Sequence, residues 1–159
     1  MAKPESASDT DSVILIDGSS YVYRAYHALP PLTTSSGQPT GAVRGVTTMV
    51  MRILEDHPNS PIGMIFDAKG DTFRHDMYKE YKANRPPMPD DLRPQIQPIY
   101  DIVEALGIKI FVVDNVEADD VIGTLAKQAE EKGISTVIST GDKDLAQLVT
   151  KNIKLVNTM

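Results

Sequence analysis

Four short apolar runs in this chain are each followed by acidic residues, and this pattern restricts the fold more than any other feature. The runs occupy positions 13–16, 64–66, 108–113 and 136–140. The acids that follow them are Asp17, Asp67, Glu117, Asp119, Asp120, Asp142 and Asp144. If the runs are parallel strands, all these side chains gather at the carboxyl-terminal edge of one sheet, where open α/β folds bind their ligands.

A cluster of this kind requires protons or cations. Two carboxylates ~4 Å apart repel by roughly 4 kcal/mol at an effective dielectric constant near 20. The chain has no Cys and three scattered His, so a bound metal would be held by oxygen. Oxygen ligands favour Mg²⁺ or Mn²⁺ over Zn²⁺. The pattern therefore indicates a metal-dependent enzyme.

Strand-like and helical patterns alternate along the chain. Strands are predicted at 13–17, 62–66, 108–113, 135–140 and 153–156, and helices at 19–28, 41–55, 74–82, 90–106, 118–132 and 145–149. Such alternation predicts right-handed crossovers and an α/β fold with a central, mostly parallel sheet covered by helices on both faces. At 159 residues with 41% hydrophobic side chains, the chain suits one domain.

The overall composition of the chain indicates the cellular setting in which the protein is expected to work. Residues 1–12 are polar and lack the apolar segment of a secretory signal, so we expect a flexible tail there. No apolar stretch approaches the ~20 residues that span a bilayer, which predicts no membrane partner. The absence of Cys fits a reducing cytoplasm. The net charge of −6 does not exclude a polyanionic partner, because much of the negative excess lies in the acidic cluster.

Taken one at a time, the acidic motifs have simpler explanations. Asp17 and Asp142 could cap helices, and Asp67 could belong to a turn. Acids in a first helical turn, such as Asp119 and Asp120, often only complement the helix dipole. Their joint occurrence at successive strand ends favours the metal site. Asp114 also follows a strand, but we expect it to be solvated.

A basic and aromatic stripe is predicted on the helix at 74–82 and just beyond it. Its members recur at helical spacing, and they are Arg74, Tyr78, Tyr81, Lys82 and Arg85. A charged stripe is usually a solvated face, but interleaved tyrosines can stack on bases while Lys and Arg hold phosphates. Arg24 would reach the same sheet edge. Tyr21, Tyr23 and Tyr26 are expected to pack rather than stack.

Several chemistries lack their motifs. No Gly-x-x-x-x-Gly-Lys-Ser/Thr loop or Gly-x-Gly-x-x-Gly turn is present, which argues against P-loop phosphate binding and dinucleotide binding. No arrangement of Ser, His and Asp is recognisable as a triad. The chemistry that the motifs still allow is that of a metal held by oxygen ligands beside a phosphate-binding stripe. This combination indicates phosphodiester hydrolysis.

Five segments resemble the 5′-nuclease domain of bacterial DNA polymerase I. They are residues 16–28 (IDGSSYVYRAYHA), 66–70 (FDAKG), 81–89 (YKANRPPMP), 116–126 (VEADDVIGTLA) and 139–144 (STGDKD). The resemblance implies the PIN-like, three-layer fold of flap endonucleases. It also implies that the seven acids hold Mg²⁺, with Mn²⁺ as a substitute, some of them through water.

The resemblance also implies the substrate and the roles of the basic residues. Lys82 and Arg85 match residues of a mobile helical arch that contact the scissile phosphate and act in catalysis. Arg24 and Arg74 match other DNA-contacting positions, and Tyr81 belongs to the same stripe. The family removes 5′ ends and flaps from DNA, including RNA-primer segments, during repair and replication. We expect a monomer in the bacterial cytoplasm, associated with the nucleoid.

The chain departs from this family in one respect. In the family, two further metal-binding aspartates and a helix-three-turn-helix that grips duplex DNA lie downstream, so residues 13–159 are expected to be the N-terminal part of the domain without that subdomain. The expectation is a fragment of DNA polymerase I with an incomplete two-metal site and weak or no activity. A stand-alone PIN-type ribonuclease and a non-catalytic DNA-binding module remain as alternatives.

Overall fold

The computed structural model describes residues 12–68 and 88–157. Its strands are β1 (Ser12–Asp17), β2 (Ile62–Phe66), β3 (Lys109–Val112), β4 (Ser135–Ser139) and β5 (Ile153–Val156). Its α-helices are α1 (Gly18–Ala28), α2 (Gly41–Asp56), α3 (Ile96–Ala105) and α4 (Ala118–Glu131). Most of the predicted tail and the predicted helix at 74–82 lie outside the described residues.

The five strands form one sheet in the order β3-β2-β1-β4-β5, and every neighbouring pair is parallel. The prediction of an α/β fold with a parallel sheet is confirmed. From β1 the chain first builds outward through β2 and β3, then returns to place β4 on the other side of β1. The reversal produces a switch point between β1 and β4, which is where doubly wound folds bind ligands.

Alternation along β1 builds the two sides of the core. Ile14 and Ile16 point to the face that α1, α2 and α3 cover, and Leu15 points to the face that α4 covers. All three side chains are buried. Because both faces are apolar, the strands are held in a register that places their carboxyl ends at one edge.

Two predicted helices differ in detail. The segment at 90–106 is divided into a 3₁₀ helix, Arg93–Gln95, and α3. Pro94 lies in the 3₁₀ turn and Pro98 in the first turn of α3, where the missing amide hydrogens cost little. The short helix predicted at 145–149 is a 3₁₀ helix, Lys143–Leu148. In the described ranges, no helix is long and apolar enough to cross a membrane.

Candidate active site

Asp17 stands at the end of β1 and caps α1. Its Oδ1 accepts a hydrogen bond from the Ser20 amide at 3.3 Å, and its Oδ2 accepts one from the Thr140 hydroxyl at 2.7 Å. The side chain is buried, with 4% of the residue exposed. Asp17 is therefore the N-cap residue of α1, rather than Ser19 or Ser20.

The environment of Asp17 disfavours its negative charge. Burial raises the pKa of Asp17 above its usual value of 3.8, and the hydrogen bonds from Thr140 and Ser20 oppose that rise. The nearby charges of Asp67 and Asp142 raise the pKa further. A cation placed among these carboxylates would therefore stabilise the ionised form.

Asp67 connects β2 to the start of α4. Its Oδ1 accepts a hydrogen bond from the Ala118 amide at 2.7 Å, and its own amide donates to the Ser19 hydroxyl at 3.3 Å. Glu117, at the N-cap position of α4, makes no side-chain cap bond. Asp67 therefore caps α4 from the neighbouring strand and fixes the helix start that carries Glu117 and Asp119.

The turn after β4 is held by hydroxyl groups. The Gly141 amide donates to Ser20 Oγ at 3.0 Å, and the Asp142 amide donates to Thr140 Oγ1 at 2.9 Å. Asp142 Oδ1 then accepts from the Asp144 amide at 2.9 Å, which starts the 3₁₀ helix. The backbone amides of residues 141, 142 and 144 thus all have side-chain acceptors.

Two adjoining clefts contain all the predicted metal ligands. The first cleft, of about 320 Å³, is lined by Asp17, Asp67, Glu117, Asp119 and Asp142 together with Ser19, Ser20, Tyr23 and Gly141. The second cleft shares Glu117 and Asp119 and adds Asp120 and Asp144. Acids separated by up to 127 positions in the sequence therefore line adjoining clefts at the carboxyl-terminal edge of the sheet.

Residues 12–159 match the family model for the 5′-3′ exonuclease, N-terminal resolvase-like domain. The chain belongs to this family. It is 59% identical over 147 residues to DNA polymerase I of Pseudomonas aeruginosa, covering 92% of this chain and 16% of the relative. It is 46% identical over 143 residues to a 5′-3′ exonuclease of Buchnera aphidicola subsp. Baizongia pistaciae, covering 90% of this chain and 47% of the relative.

The fold of this 5′-3′ exonuclease family member also resembles a solved structure. The bacteriophage T5 flap endonuclease in a pseudo-enzyme–product complex with DNA and metal ions matches with a TM-score of 0.62 at 16% identity, over 91% of this chain and 54% of that one. The three-layer, PIN-like fold predicted from the motifs is thereby confirmed. The chain spans 16% of the Pseudomonas protein and 47% of the Buchnera protein.

The donor set in the 5′-3′ exonuclease domain fits a hard divalent cation. Every acidic ligand offers carboxylate oxygen, which is what Mg²⁺ and Mn²⁺ prefer. Within residues 12–68 and 88–157, however, no three His, Asp or Glu side chains are grouped closely enough to hold one ion as they stand. Oxygens of Asp17, Asp67 and Asp142 accept protein hydrogen bonds instead. The acids are assembled in one place but do not form a closed coordination shell.

The remaining predicted residues are placed as follows. Arg24 is exposed on α1, and it is not among the residues of the described ranges that line the two clefts. Asp114 is exposed and away from both clefts, as predicted. Arg74, Tyr81, Lys82 and Arg85 lie outside the described residues, so their predicted roles stay predictions.

The three tyrosines of α1 differ in burial, and the sequence did not predict this difference. Tyr21 is fully buried, and its hydroxyl lies 2.5 Å from Ser139 Oγ. Tyr26 packs against the core and donates to Asp91 at 2.6 Å. Tyr23 was wrongly predicted to pack, since it is 39% exposed and lines the first cleft. The helical turn points this ring outward, where it can stack on a base.

Sequence reasoning missed the hydroxyls that hold the acids in place. Ser19, Ser20 and Thr140 each bond a segment that carries a predicted ligand. Their signal was their position beside Asp17 and Asp142, but their partners lie on other strands and could not be read from spacing. Gly18 was also missed. A Cβ there would lie 2.8 Å from the Ile65 carbonyl oxygen, so only glycine allows α1 to start against β2.

Proposed function

We propose that this chain is the nuclease core of a metal-dependent 5′-3′ exonuclease and flap endonuclease that hydrolyses phosphodiester bonds in DNA. The observation that carries the proposal is the convergence of seven acids in two adjoining clefts at the switch point of the sheet. Membership of the 5′-3′ exonuclease family supports the reaction class. Mg²⁺ is the proposed cofactor, with Mn²⁺ as a substitute.

Asp17, Asp67 and Asp142, with Glu117 and Asp119, would hold a cation in the first cleft. Asp120 and Asp144 would contribute from the second cleft. When bound, the cations activate water and neutralise charge that develops on the phosphate. The hydroxyl network keeps the carboxylates directed into the clefts, and the exposed ring of Tyr23 offers a surface for a base next to the scissile bond.

The proposed substrates are 5′ ends and flaps, including RNA-primer segments. DNA and metal ions in the structure of the T5 flap endonuclease, whose fold matches, support this choice. Lys82 and Arg85 are proposed to place positive charge on the scissile phosphate, and Arg24, Arg74 and Tyr81 to contact DNA. The proposed setting is a monomeric nuclease unit of DNA polymerase I in the bacterial cytoplasm.

The relatives suggest that this span needs more sequence for full activity. Because the 143 aligned residues cover only 47% of the Buchnera 5′-3′ exonuclease, we propose that a second pair of aspartates and a DNA-gripping subdomain belong to the remainder of a longer protein. Residues 12–159 alone would then cleave weakly, if at all. Cleavage should therefore be measured with protein in excess over DNA, where a single slow turnover is detectable.

The test compares two acidic residues that each follow a strand. A 5′-labelled flap is incubated with Mg²⁺, Mn²⁺ or EDTA and with the wild type, Asp142→Asn or Asp114→Asn. We expect metal-dependent cleavage that Asp142→Asn reduces by at least about 10–100-fold, the loss typical even of groups that only orient metal ligands. Asp114→Asn should leave it unchanged, because Asp114 is exposed and lines neither cleft.

Other results would replace the proposal. Cleavage of RNA alone would favour a PIN-type ribonuclease. DNA binding without any metal-dependent cleavage, in this chain and in the same test on the Pseudomonas relative, would favour a non-catalytic module.

A further inference from the structure

The hydroxyl of Thr140 lies between two acids that come from different strands. It donates to Asp17 Oδ2 at 2.7 Å and accepts from the Asp142 amide at 2.9 Å. Thr140 is buried, with 2% exposed. One oxygen atom therefore connects the end of β1 to the turn after β4, across the switch point of the sheet.

The second hydroxyl bond in this turn leaves it little freedom. Ser20, on α1, accepts from the Gly141 amide at 3.0 Å, and the Thr140 amide donates to the Val156 carbonyl on β5 at 3.0 Å. The backbone amides of residues 140, 141 and 142 thus all donate hydrogen bonds. Their acceptors are a carbonyl group of β5 and two side-chain hydroxyl groups, not carbonyl groups of the turn itself. The position of Asp142 relative to Asp17 is set by these bonds.

Repulsion would otherwise separate the two acids. Asp17 and Asp142 both line the first cleft, and their like charges favour divergence when no cation is present. A buried hydroxyl that bonds both segments opposes that divergence. The strand that leads into this turn supplies a contrast, because Thr136 on β4 is equally buried but its Oγ1 has no hydrogen-bond partner among the described residues.

We propose that Thr140 is a positioning residue for the divalent cation: its hydroxyl holds Asp17 and Asp142 together at the first cleft, so that cation affinity depends on it. This inference rests on the proposed function. Groups that orient metal ligands typically contribute 10–100-fold to affinity. Thr140→Val removes the hydroxyl at nearly constant volume, Thr140→Ser keeps it, and Thr136→Val is the matched control for losing a buried hydroxyl from the same segment.

The first measurement is made in EDTA. Hydrogen exchange of the Asp142 amide is followed by NMR in the wild type and the three variants. We expect faster exchange in Thr140→Val only, because the amide loses its acceptor there. Exchange as slow in Thr140→Val as in the wild type would overturn the inference, since the hydroxyl would then not hold the turn.

The second measurement is Mn²⁺ affinity, from the loss of the free-ion EPR signal on titration. Thr140→Val is expected to bind about 10-fold or more weakly than the wild type, while Thr140→Ser and Thr136→Val stay within about twofold. Equal affinity in Thr140→Val and the wild type would overturn the inference and leave the proposed function standing. A wild type that binds no Mn²⁺ would overturn both.

Thr140→Ser keeps the test decisive if Thr140→Val does not fold. This variant loses only the methyl group, so a role in packing predicts that it is impaired. Wild-type Mn²⁺ affinity and a protected Asp142 amide in Thr140→Ser would support the hydroxyl as the active feature. A 10-fold loss of affinity in a folded Thr140→Ser would contradict it.

Discussion

The two edges of the sheet are built from the same five strands, but the first cleft and the pocket at the opposite edge are lined by charged residues of opposite sign. At the carboxyl-terminal edge lie the two acidic clefts and their hydroxyl network. At the amino-terminal edge, around the start of β4, a smaller pocket of about 240 Å³ is lined by His57, Lys151 and Lys154 among other residues. We call this the amino-edge pocket.

The acidic edge follows in part from the direction of the chain. Because all five strands are parallel, α1 and α4 begin at the carboxyl-terminal edge. Helix amino termini carry partial positive charge and favour acids, whereas helix carboxyl termini favour bases. The dipoles do not govern the charge at the amino-terminal edge, since the last turns of α2, α3 and α4 contain no basic residue. What the dipoles do not explain is seven acids in adjoining clefts, and that excess indicates a metal site.

The largest effect on cleavage should come from a comparison in which one charged side chain at each edge is neutralised. Asp17→Asn should reduce metal-dependent flap cleavage by at least about 10–100-fold, because it removes a buried carboxylate that lines the first cleft. Lys154→Gln, in the amino-edge pocket, should leave the single-turnover rate unchanged. A similar loss from both variants would show that overall charge or folding, rather than the acidic edge, controls cleavage.

Two glycines compare the packing at the two ends of β2. Gly18, the first residue of α1, packs against the end of β2, and Gly63 lies near its start. At Gly18 a new Cβ would meet the Phe66 ring at 2.7 Å and the Ile65 carbonyl at 2.8 Å, whereas at Gly63 it would meet only side chains, the closest being the Phe111 ring at 2.9 Å. We expect Gly18→Ala to lower the free energy of unfolding by about 3 kcal/mol and Gly63→Ala by about 1 kcal/mol. Urea denaturation measures both, and the reverse order would contradict the structure.

Two threonines compare the ends of β4. Thr140→Val breaks one buried and one part-buried hydrogen bond and should lower the free energy of unfolding by about 1–3 kcal/mol. Thr136→Val removes a hydroxyl without a partner among the described residues, so its effect should be near zero or stabilising. Equal losses of unfolding free energy in the two variants, measured by thermal or urea denaturation, would mean that the hydroxyl network at the carboxyl-terminal edge does not stabilise the fold.

A smaller effect concerns pH. Burial raises the pKa of Asp17 in the folded state, so the folded state holds this proton more tightly than the unfolded state does. The resulting stabilisation is fully present below the usual pKa of 3.8 and is lost as pH rises through the folded-state value. In EDTA, Asp17→Asn should therefore become more stable relative to wild type as pH rises. A difference in unfolding free energy that stays constant from pH 3.5 to 8 would contradict this.

Most of the fold could be predicted from the sequence because its signals are local. Gly107 and Gly133 end helices with φ angles of +88° and +74°, as their positions after apolar periodic segments predict. The strand order could not be predicted, since nothing local states that β4 lies beside β1. The acids were found because parallel strands bring their ends together. The hydrogen-bond partners of the hydroxyl groups and the outward direction of the Tyr23 ring could not be predicted, because both depend on contacts between distant segments.

The most direct test of a cation site at the acidic edge is anomalous diffraction from crystals soaked in Mn²⁺. We predict a manganese peak in the first cleft, with carboxylate oxygens of Asp17, Asp67 or Asp142 at about 2.0–2.2 Å, the range of small octahedral cations. Manganese bound only elsewhere on the molecule, with the first cleft empty at saturating Mn²⁺, would contradict it.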